Sequence, residues 1–521
     1  MWAPSTRPPP SSPITTDSFR LRQRAHVVTF MLMQGPFGLI KSRFSRSHAL
    51  LAALLFALVG SLAFFWQPKI ELLPSASQAV GSLVTPEMEN SRRHRFVKID
   101  ASAIRAIEQG ASRIELELFP GDRVSAVLDP AESSSLGGTT ATGHLYGQPN
   151  SQITLATFGG VIAASVFKPD GRSYMITYAG KGLHQVSELR EETSPGLHVP
   201  TQIGTVQLER SPNGKAQMMP ELKYGLTERV VGFPQFTTTL NAKDPVASKR
   251  SYGPPVIGFM AVYTPAAEEQ CGGFMGIESR IRLSVEMVNA VFKRSGVRAQ
   301  LRLQYSQRID YASDGDLVSD LRNVTIGAHP AMLQVHRLRQ IHRADLVSLF
   351  VESKRANIFK GAGWMPTSFD PIPEFGYSVV EAAYCPSSVF THEIGHNLGC
   401  NHATNDIGGN IQGAFTNSHA WRLSVTNTNN QVFNHKTIMA YGAGTRIPYF
   451  SNPNILFYSV PTGDSNYADN AGTINRTAPM IASYLSPGVV TNSPANSTDS
   501  EGNQGYNPFE PPYSRFQIRL R

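Results

Sequence analysis

The chain has 521 residues, of which 41% are hydrophobic and 17% are charged, so it is long enough for two or three domains with a buried core. This composition excludes disordered, collagen-like and coiled-coil proteins, and three cysteines are too few for a disulfide-built scaffold. The net charge of +8 belongs to the N-terminus, because residues 1–70 contain eight Lys or Arg and one acidic residue. No nucleic-acid partner is therefore predicted.

Residues 1–79 have the pattern of an N-terminal extension with an export signal. An uncharged, apolar core at residues 49–66 follows Lys41, Arg43 and Arg46, and small residues suited to a signal peptidase come after it. The core is long for a cleaved signal and short for a membrane span, so a signal anchor is the alternative, and only then is a membrane a partner. Either way the body of the chain is predicted to be secreted, or anchored with its catalytic part outside the cytoplasm.

Residues 80–200 are predicted to form a β-rich, prodomain-like region. Residues 114–118 alternate with period two, and β-rich runs broken by Gly, Pro and Asn follow at 145–167 and 174–178. Residues 201–253 are predicted to be a polar linker, with a candidate processing site at its basic end, residues 247–251.

Residues 254–486 carry an alternating pattern of strands and helices. The predicted elements are a strand at 256–263, a helix at 276–295, a strand at 300–304, helical structure within 316–342, and strands at 345–351 and 375–380. The helix at 276–295 has one apolar stripe and is ended by Gly296; the stripe is Ile277, Ile281, Val285, Val288 and Phe292. Residues 487–521, rich in Pro, Gly, Ser and Asn, are predicted to be a disordered tail.

Three histidines between residues 391 and 402 have the spacing of metal ligands. His392 and His396 are four residues apart, so on a helix their imidazoles project from one face, where one zinc ion can bind both. Gly399 can adopt a left-handed conformation and turn the chain, which returns His402 as the third ligand. Three neutral imidazoles leave an open position for water on a catalytic zinc ion.

Glu393 is the predicted general base and acid of this site. It lies one residue beyond His392, about 100° around the helix, where it is poorly placed as a ligand but well placed to reach a water at the metal. Such a water has a pKa lowered toward about 7, so that Glu393 can accept its proton and later give it to the leaving amine. The alternative is an ordinary amphipathic helix with surface histidines.

The extended pattern resembles the zinc signature of the metzincin metalloproteases. By that resemblance, Met439 belongs to a Met-turn beneath the histidines, where its thioether is an apolar floor rather than a ligand. Tyr441 resembles the tyrosine that astacins and serralysins place near the zinc, where a phenol can bind the metal or stabilise the oxyanion. The alternatives are a methionine that only fills the core and a tyrosine that only packs.

Six segments together resemble the bacterial peptidyl-Asp metalloendopeptidases, which are reprolysin-like metzincins; they are Val262–Ala267, Ala344–Leu349, Tyr377–Val380, the zinc motif, Thr437–Tyr441 and Arg446–Pro453. The resemblance covers residues 254–485 and implies an α+β catalytic domain with a twisted mixed β-sheet, an active-site helix and a Met-turn. It also implies an exported endopeptidase that cuts polypeptides on the amino side of Asp or Glu. The alternatives are a broad-specificity metzincin protease and a non-catalytic, membrane-anchored binding protein on a metzincin scaffold.

An acidic preference requires a cation in the pocket beyond the scissile bond. Arg446 is the candidate, because a guanidinium can bind a carboxylate with two hydrogen bonds, and His435 and Lys436 are its rivals. A structural ion pair is the alternative role of Arg446.

Two further features concern disulfides and latency. Lys360 stands where the family has a cysteine, so Cys385 is left to pair with Cys400 or Cys271 or to stay reduced. Residues 119–122, Phe-Pro-Gly-Asp, resemble the segment by which astacin propeptides offer an aspartate to the zinc, although a turn after a strand explains them equally well.

Overall fold

The structure is a computed structural model that describes residues 70–73, 85, 91–190, 253–327, 329–353, 360–406, 408–426 and 429–485, and the backbone of 207–210 and 216–219. All of these belong to one compact unit, Lys69–Arg521. The predicted apolar core at 49–66, most of the predicted linker and the predicted tail lie outside the described residues. No helix among the described residues is long and apolar enough to cross a membrane.

The first part of the described chain forms a ten-stranded sheet, which we call the N-terminal sheet. Its strands are β1 (Ile70–Leu73), β2 (Ser91–Val97), β3 (Arg113–Phe119), β4 (Asp122–Leu128), β5 (Glu132–Ser133), β6 (Thr139–Leu145), β7 (Gln148–Phe158), β8 (Val161–Phe167), β9 (Ser173–Gly180) and β10 (Leu183–Leu189). They run in the order β1-β3-β4-β6-β7-β8-β9-β10-β2, with β5 on β6, and only the β1–β3 pair is parallel. The prediction of a β-rich region is confirmed for these residues.

One helix interrupts this sheet and was not predicted. Helix α1 (Ala101–Glu108) begins after Asp100, whose carboxylate accepts a hydrogen bond from the Ser102 N–H. Its buried face consists of Ala103, Ile104 and Ile107. This i, i+1, i+4 pattern spans little more than one helical turn, which is too short to stand out from the strand patterns on either side of it. Within the predicted linker, β11 (Gln207–Arg210) and β12 (Ala216–Met219) pair antiparallel.

The second part is built on a five-stranded mixed sheet, which we call the central sheet. Its strands are β13 (Val256–Tyr263), β14 (Gln300–Arg308), β15 (Leu346–Val351), β16 (Gly361–Gly363) and β17 (Tyr377–Glu381), in the order β14-β13-β15-β17-β16. Four strands are parallel, and the edge strand β16 is antiparallel to β17. The predicted mixed sheet is confirmed. Strand β16 was not predicted, because three residues are too few to show a strand pattern in the sequence.

Helices cover both faces of the central sheet, and smaller strands follow the last of its strands. The helices are α2 (Pro265–Gln270), α3 (Phe274–Arg294), α4 (Leu317–Ile326), α5 (Pro330–His342), α6 (Ser388–Asn397) and α7 (Asn470–Ile481), and the further strands are β18 (Arg422–Thr426), β19 (Val432–Lys436), β20 (Thr445–Arg446), β21 (Leu456–Phe457) and β22 (Val460–Pro461). Along β13, Phe259 and Ala261 pack with α3, α6 and α7, whereas Met260 and Val262 pack with α4 and α5. Burial on both faces explains why these strands are continuously apolar.

The helix predicted at 276–295 is α3, and its predicted stripe lies in the core with the central sheet. The helical structure predicted within 316–342 is two helices, α4 and α5. The chain breaks between them because Gly327 ends α4 in the left-handed conformation and Pro330 starts α5.

Candidate metal centre

Helix α6 carries the first part of the predicted zinc motif. Ser387 caps it by accepting the Val389 N–H at 3.1 Å, and the helix holds His392, Glu393 and His396 in its buried interior. After Leu398 the chain turns at Gly399, whose φ is +86° and where a Cβ would lie 2.5 Å from the Cβ of Ala414. Both the φ and the close approach require glycine, and the turn returns the chain toward the helix.

The turn brings the three predicted histidines together. The Nε2 atom of His402 lies 3.1 Å from Nε2 of His392 and 3.0 Å from Nε2 of His396. Nitrogens bound tetrahedrally to one zinc ion lie about 3.3 Å apart, so the observed spacing fits such an ion. All three histidine side chains are buried.

In His392 and His396 the other ring nitrogen meets a backbone carbonyl. Nδ1 of His392 lies 3.2 Å from the Ile438 oxygen, and Nδ1 of His396 lies 3.0 Å from the Cys400 oxygen. A carbonyl can only accept, so Nδ1 carries the proton and each Nε2 presents a lone pair. Lone pairs this close repel one another unless a cation lies between them, which makes the donor set suited to a metal ion.

Burial tunes the charge of the centre. It lowers the pKa of His396 to about 4 and, with the neighbouring imidazoles, takes the pKa of His392 well below its usual range. Both rings are therefore neutral at pH 7 and available as ligands. Burial raises the pKa of Glu393 well above its usual range, which makes this carboxylate a strong proton acceptor.

Glu393 is held against the edge strand β16. A Cβ on Gly361 would lie 2.6 Å from Oε1 of Glu393, and a Cβ on Gly363 would lie 3.1 Å from Oε2. Within the described part of the chain, Oε2 is buried and has no hydrogen-bond partner. A side chain at position 361 would displace this carboxylate, and one at position 363 would crowd it.

Met439 and Tyr441 both lie at the centre. A Cβ on Gly395 would come 2.6 Å from the sulfur of Met439, so the buried thioether packs under the helix turn between His392 and His396. The phenol oxygen of Tyr441 lies 2.9 Å from Nε2 of His392. This oxygen can therefore reach a group bound at the three nitrogens.

A pair of residues that the sequence did not single out holds the backbone of Tyr441. Asp406 accepts the Tyr441 N–H at 2.8 Å, and Arg422 donates to the Tyr441 carbonyl at 2.8 and 3.0 Å. Asp406 and Arg422 also form an ion pair with each other. Both peptide groups that flank Tyr441 are thereby fixed, and no sequence spacing signals this arrangement because the two residues lie on different elements.

Arg446 lies against the backbone on both sides of Met439. Its Nη1 donates to the carbonyls of Ile438 and Ala440, the latter at 2.9 Å, and Ile438 is the residue whose carbonyl meets Nδ1 of His392. Its two rivals have other contacts: Lys436 is buried and donates to the Gly442 carbonyl at 2.7 Å, and the His435 ring packs on Phe457.

The three cysteines are reduced and buried, and none is bridged to another. Cys385 lies 3.0 Å from the Ser284 hydroxyl, and Lys360 forms an ion pair with the buried Glu381 at 3.1 Å.

Asp122 of the Phe-Pro-Gly-Asp segment contacts Lys168, Arg172 and Tyr174 of the N-terminal sheet. The structure therefore favours the turn over the zinc-blocking role for that segment.

Residues 278–403 match the metallo-peptidase family M12B, reprolysin-like. A peptidyl-Asp metalloendopeptidase of Pseudomonas aeruginosa is 29% identical over 267 residues, which are 47% of this chain and 43% of that protein. One of Xanthomonas campestris pv. campestris is 26% identical over 444 residues, 82% of this chain and 96% of that protein. The chain thus spans less than half of the Pseudomonas protein.

Among solved structures, metalloproteinase-II from Bacteroides fragilis is 12% identical, with 58% of this chain and 85% of that chain covered at a TM-score of 0.30.

Proposed function

Because the chain carries a reprolysin-like metallopeptidase domain, we propose that it is an exported, zinc-dependent endopeptidase that acts on polypeptides. The observation that supports this most directly is the convergence of three buried Nε2 atoms beside the unpartnered carboxylate oxygen of Glu393. A binding protein on the same scaffold has no need of a buried carboxylate beside its metal site. The test is the zinc content of the purified chain together with its hydrolysis of an unfolded protein.

In this proposal, His392, His396 and His402 hold the ion. When bound, Zn²⁺ polarises a peptide carbonyl and lowers the pKa of a coordinated water toward about 7. Glu393 accepts the proton of the attacking water at Oε2 and delivers it to the nitrogen of the departing amine. The Tyr441 hydroxyl donates a hydrogen bond to the developing oxyanion. Met439 and the backbone bonds to Nδ1 keep the imidazoles in their orientation.

We expect Tyr441→Phe to lower kcat by about 10²-fold, the order found on removing one oxyanion donor, and to leave zinc content unchanged. The ring and its packing remain, so only the hydroxyl beside His392 is lost. Steady-state kinetics with metal analysis measure both quantities. Tyr467→Phe, at an exposed tyrosine, is the matched control; equal rates for the two variants would remove Tyr441 from the reaction.

The proposed preference for bonds on the amino side of Asp or Glu is supported by the names of the two relatives. Its cation is proposed to be Arg446, whose guanidinium also braces the Met-turn through Ile438 and Ala440. Arg446 would then both bind the substrate carboxylate and support the Met-turn, so a substitution at this position should affect specificity and overall activity.

We expect Arg446→Ala to lower kcat/KM for all peptides and to lower the Asp-over-Ala preference at the position after the scissile bond by a further ten- to hundredfold. That factor corresponds to about 1.5–3 kcal/mol for a hydrogen bond to a charged group. The measurement is kcat/KM for a peptide pair that differs only in that residue, with Arg298→Ala at an exposed arginine as control. An unchanged ratio would leave Arg446 as a brace of the Met-turn alone and would point to broad specificity.

The proposed export rests on residues 41–66, and the proposed domain division on the two sheets and the linker between them. N-terminal sequencing of exported protein tests both. A start near residue 80 would indicate a cleaved signal, a start near 250 a processed prodomain, and a start near residue 1 a membrane anchor.

A further inference from the structure

Helix α3 is buried on two opposite sides. Its predicted stripe packs on the central sheet, but Leu283 is fully buried in a separate cluster with Ala156, Ala163 and Met175 of the N-terminal sheet. Met287 packs against the same cluster. The N-terminal sheet therefore supplies the second half of the helix's packing surface.

Charged side chains are buried in the same contact. The Arg282 guanidinium donates to the carbonyls of Leu136 and Gly137, each at 2.8 Å, and stacks 4.0 Å from the Phe158 ring. Arg280 is also fully buried and donates to the Tyr178 carbonyl at 3.3 Å. All of these partners belong to the N-terminal sheet and its turns.

The buried arginine links the two sheets. Arg282 forms an ion pair with Glu278, and the Glu278 carboxylate accepts hydrogen bonds from Ser306 of β14 at 2.8 Å and from Tyr263 of β13 at 3.2 Å. A continuous polar path thus runs from the turn before β6, through α3, to the central sheet. Removing one side of this buried pair is strongly destabilising, because the remaining charge stays buried without its partner.

Backbone meets backbone at the same interface. A Cβ on Gly272 would lie 2.6 Å from the Gly180 nitrogen, so this approach requires glycine at position 272. A second contact lies at the turn between β8 and β9, where a Cβ on Gly171 would be 2.8 Å from Thr445, the neighbour of Arg446. Phe167 of β8 packs with Leu423 and Val425 of β18 in one apolar cluster.

From these contacts we infer that the N-terminal sheet is a permanent partner of the metallopeptidase domain, which stays bound to α3 after any cut in the linker. Hydrolysis does not require its release. Interfaces that form and separate are more polar than permanent ones. Here Leu283 is fully buried with Ala156, Ala163 and Met175, and the Arg282 guanidinium depends on two carbonyls of the N-terminal region as acceptors. The catalytic part of this inference rests on the proposed function, but the association does not.

The test uses the full chain with a recognition site for a sequence-specific protease inserted after Ala247. The protein is cut after it has folded and is then passed over a sizing column in native buffer and in denaturant. We expect both fragments to elute as one species at the mass of the uncut chain in native buffer, and separately only in denaturant. Separate elution in native buffer would overturn the inference.

A variant and an activity measurement extend the test. Arg282→Met keeps the volume but removes the donors to Leu136 and Gly137, and should raise the Kd between the nicked fragments by about ten- to hundredfold. Leu333→Asp, at an exposed leucine on α5, should leave the Kd unchanged. Peptidase activity should co-elute with the two-fragment species, and activity confined to fractions without the N-terminal fragment would overturn the inference. Absence of activity from every fraction, with the fragments still together, would leave the association in place but would overturn its catalytic part, that hydrolysis does not require release of the N-terminal sheet; zinc content of the same fractions tests the proposed metal centre separately.

Discussion

Glu393→Gln is expected to lower kcat/KM for peptide hydrolysis by about 10²–10⁴-fold, the contribution of a positioned general base, while zinc stays at one ion per chain. Glutamine has nearly the same shape and fits between α6 and β16, where Gly361 and Gly363 leave just enough space. What it lacks is the buried, proton-accepting oxygen. The loss should therefore appear in kcat, with metal affinity unchanged.

The measurement pairs progress curves on an unfolded protein with zinc analysis of the same sample. Glu269→Gln makes the same chemical change at an exposed position of α2 and should have wild-type activity. A Glu393→Gln enzyme that retained more than about a tenth of the wild-type rate would contradict the assignment of Glu393 as the base. Zinc bound by a wild-type chain that does not hydrolyse any protein would instead favour the binding-protein alternative.

His402→Ala should abolish both tight zinc binding and hydrolysis. His402 is the ligand that the turn at Gly399 returns to the helix, and its Nε2 lies within 3.1 Å of both other Nε2 atoms. Two imidazoles on a helix face bind zinc far more weakly than three donors, since structural and catalytic sites need three or four protein ligands. Calorimetric titration should detect no tight zinc binding by this variant, and the same sample should not hydrolyse peptides.

Chelation of the wild-type enzyme should have the same effect and should be reversed by added zinc. His94→Ala, at an exposed histidine of the N-terminal sheet, serves as the control for loss of an imidazole. A purified chain that holds no divalent metal and is indifferent to chelators would exclude the three-histidine centre and every proposal built on it.

The sequence predicted the ligand set because local geometry determines it. Residues four apart on a helix share a face, and glycine is the residue that permits the return turn, so His392, His396 and His402 could be identified without knowing their surroundings. Asp406 and Arg422 could not be identified in this way, because they meet only through a turn in the tertiary structure.

The fold shows the same limit at α3. The stripe of Ile277, Ile281 and Val285 predicted one buried face, but Arg280 and Arg282 have the character of exposed residues, so the second buried face was missed. Its partners lie more than 100 residues earlier in the chain, and no periodicity within the helix reports a contact at that distance.

Cys271, Cys385 and Cys400 are buried and reduced, and this has a practical consequence for handling the protein. Burial raises the pKa of the Cys385 and Cys400 thiols, so they are poor nucleophiles and resist oxidation. The described part of the chain holds no covalent cross-link for dithiothreitol to open. Inhibition by such a reagent would therefore report competition with the imidazoles for the ion rather than reductive unfolding.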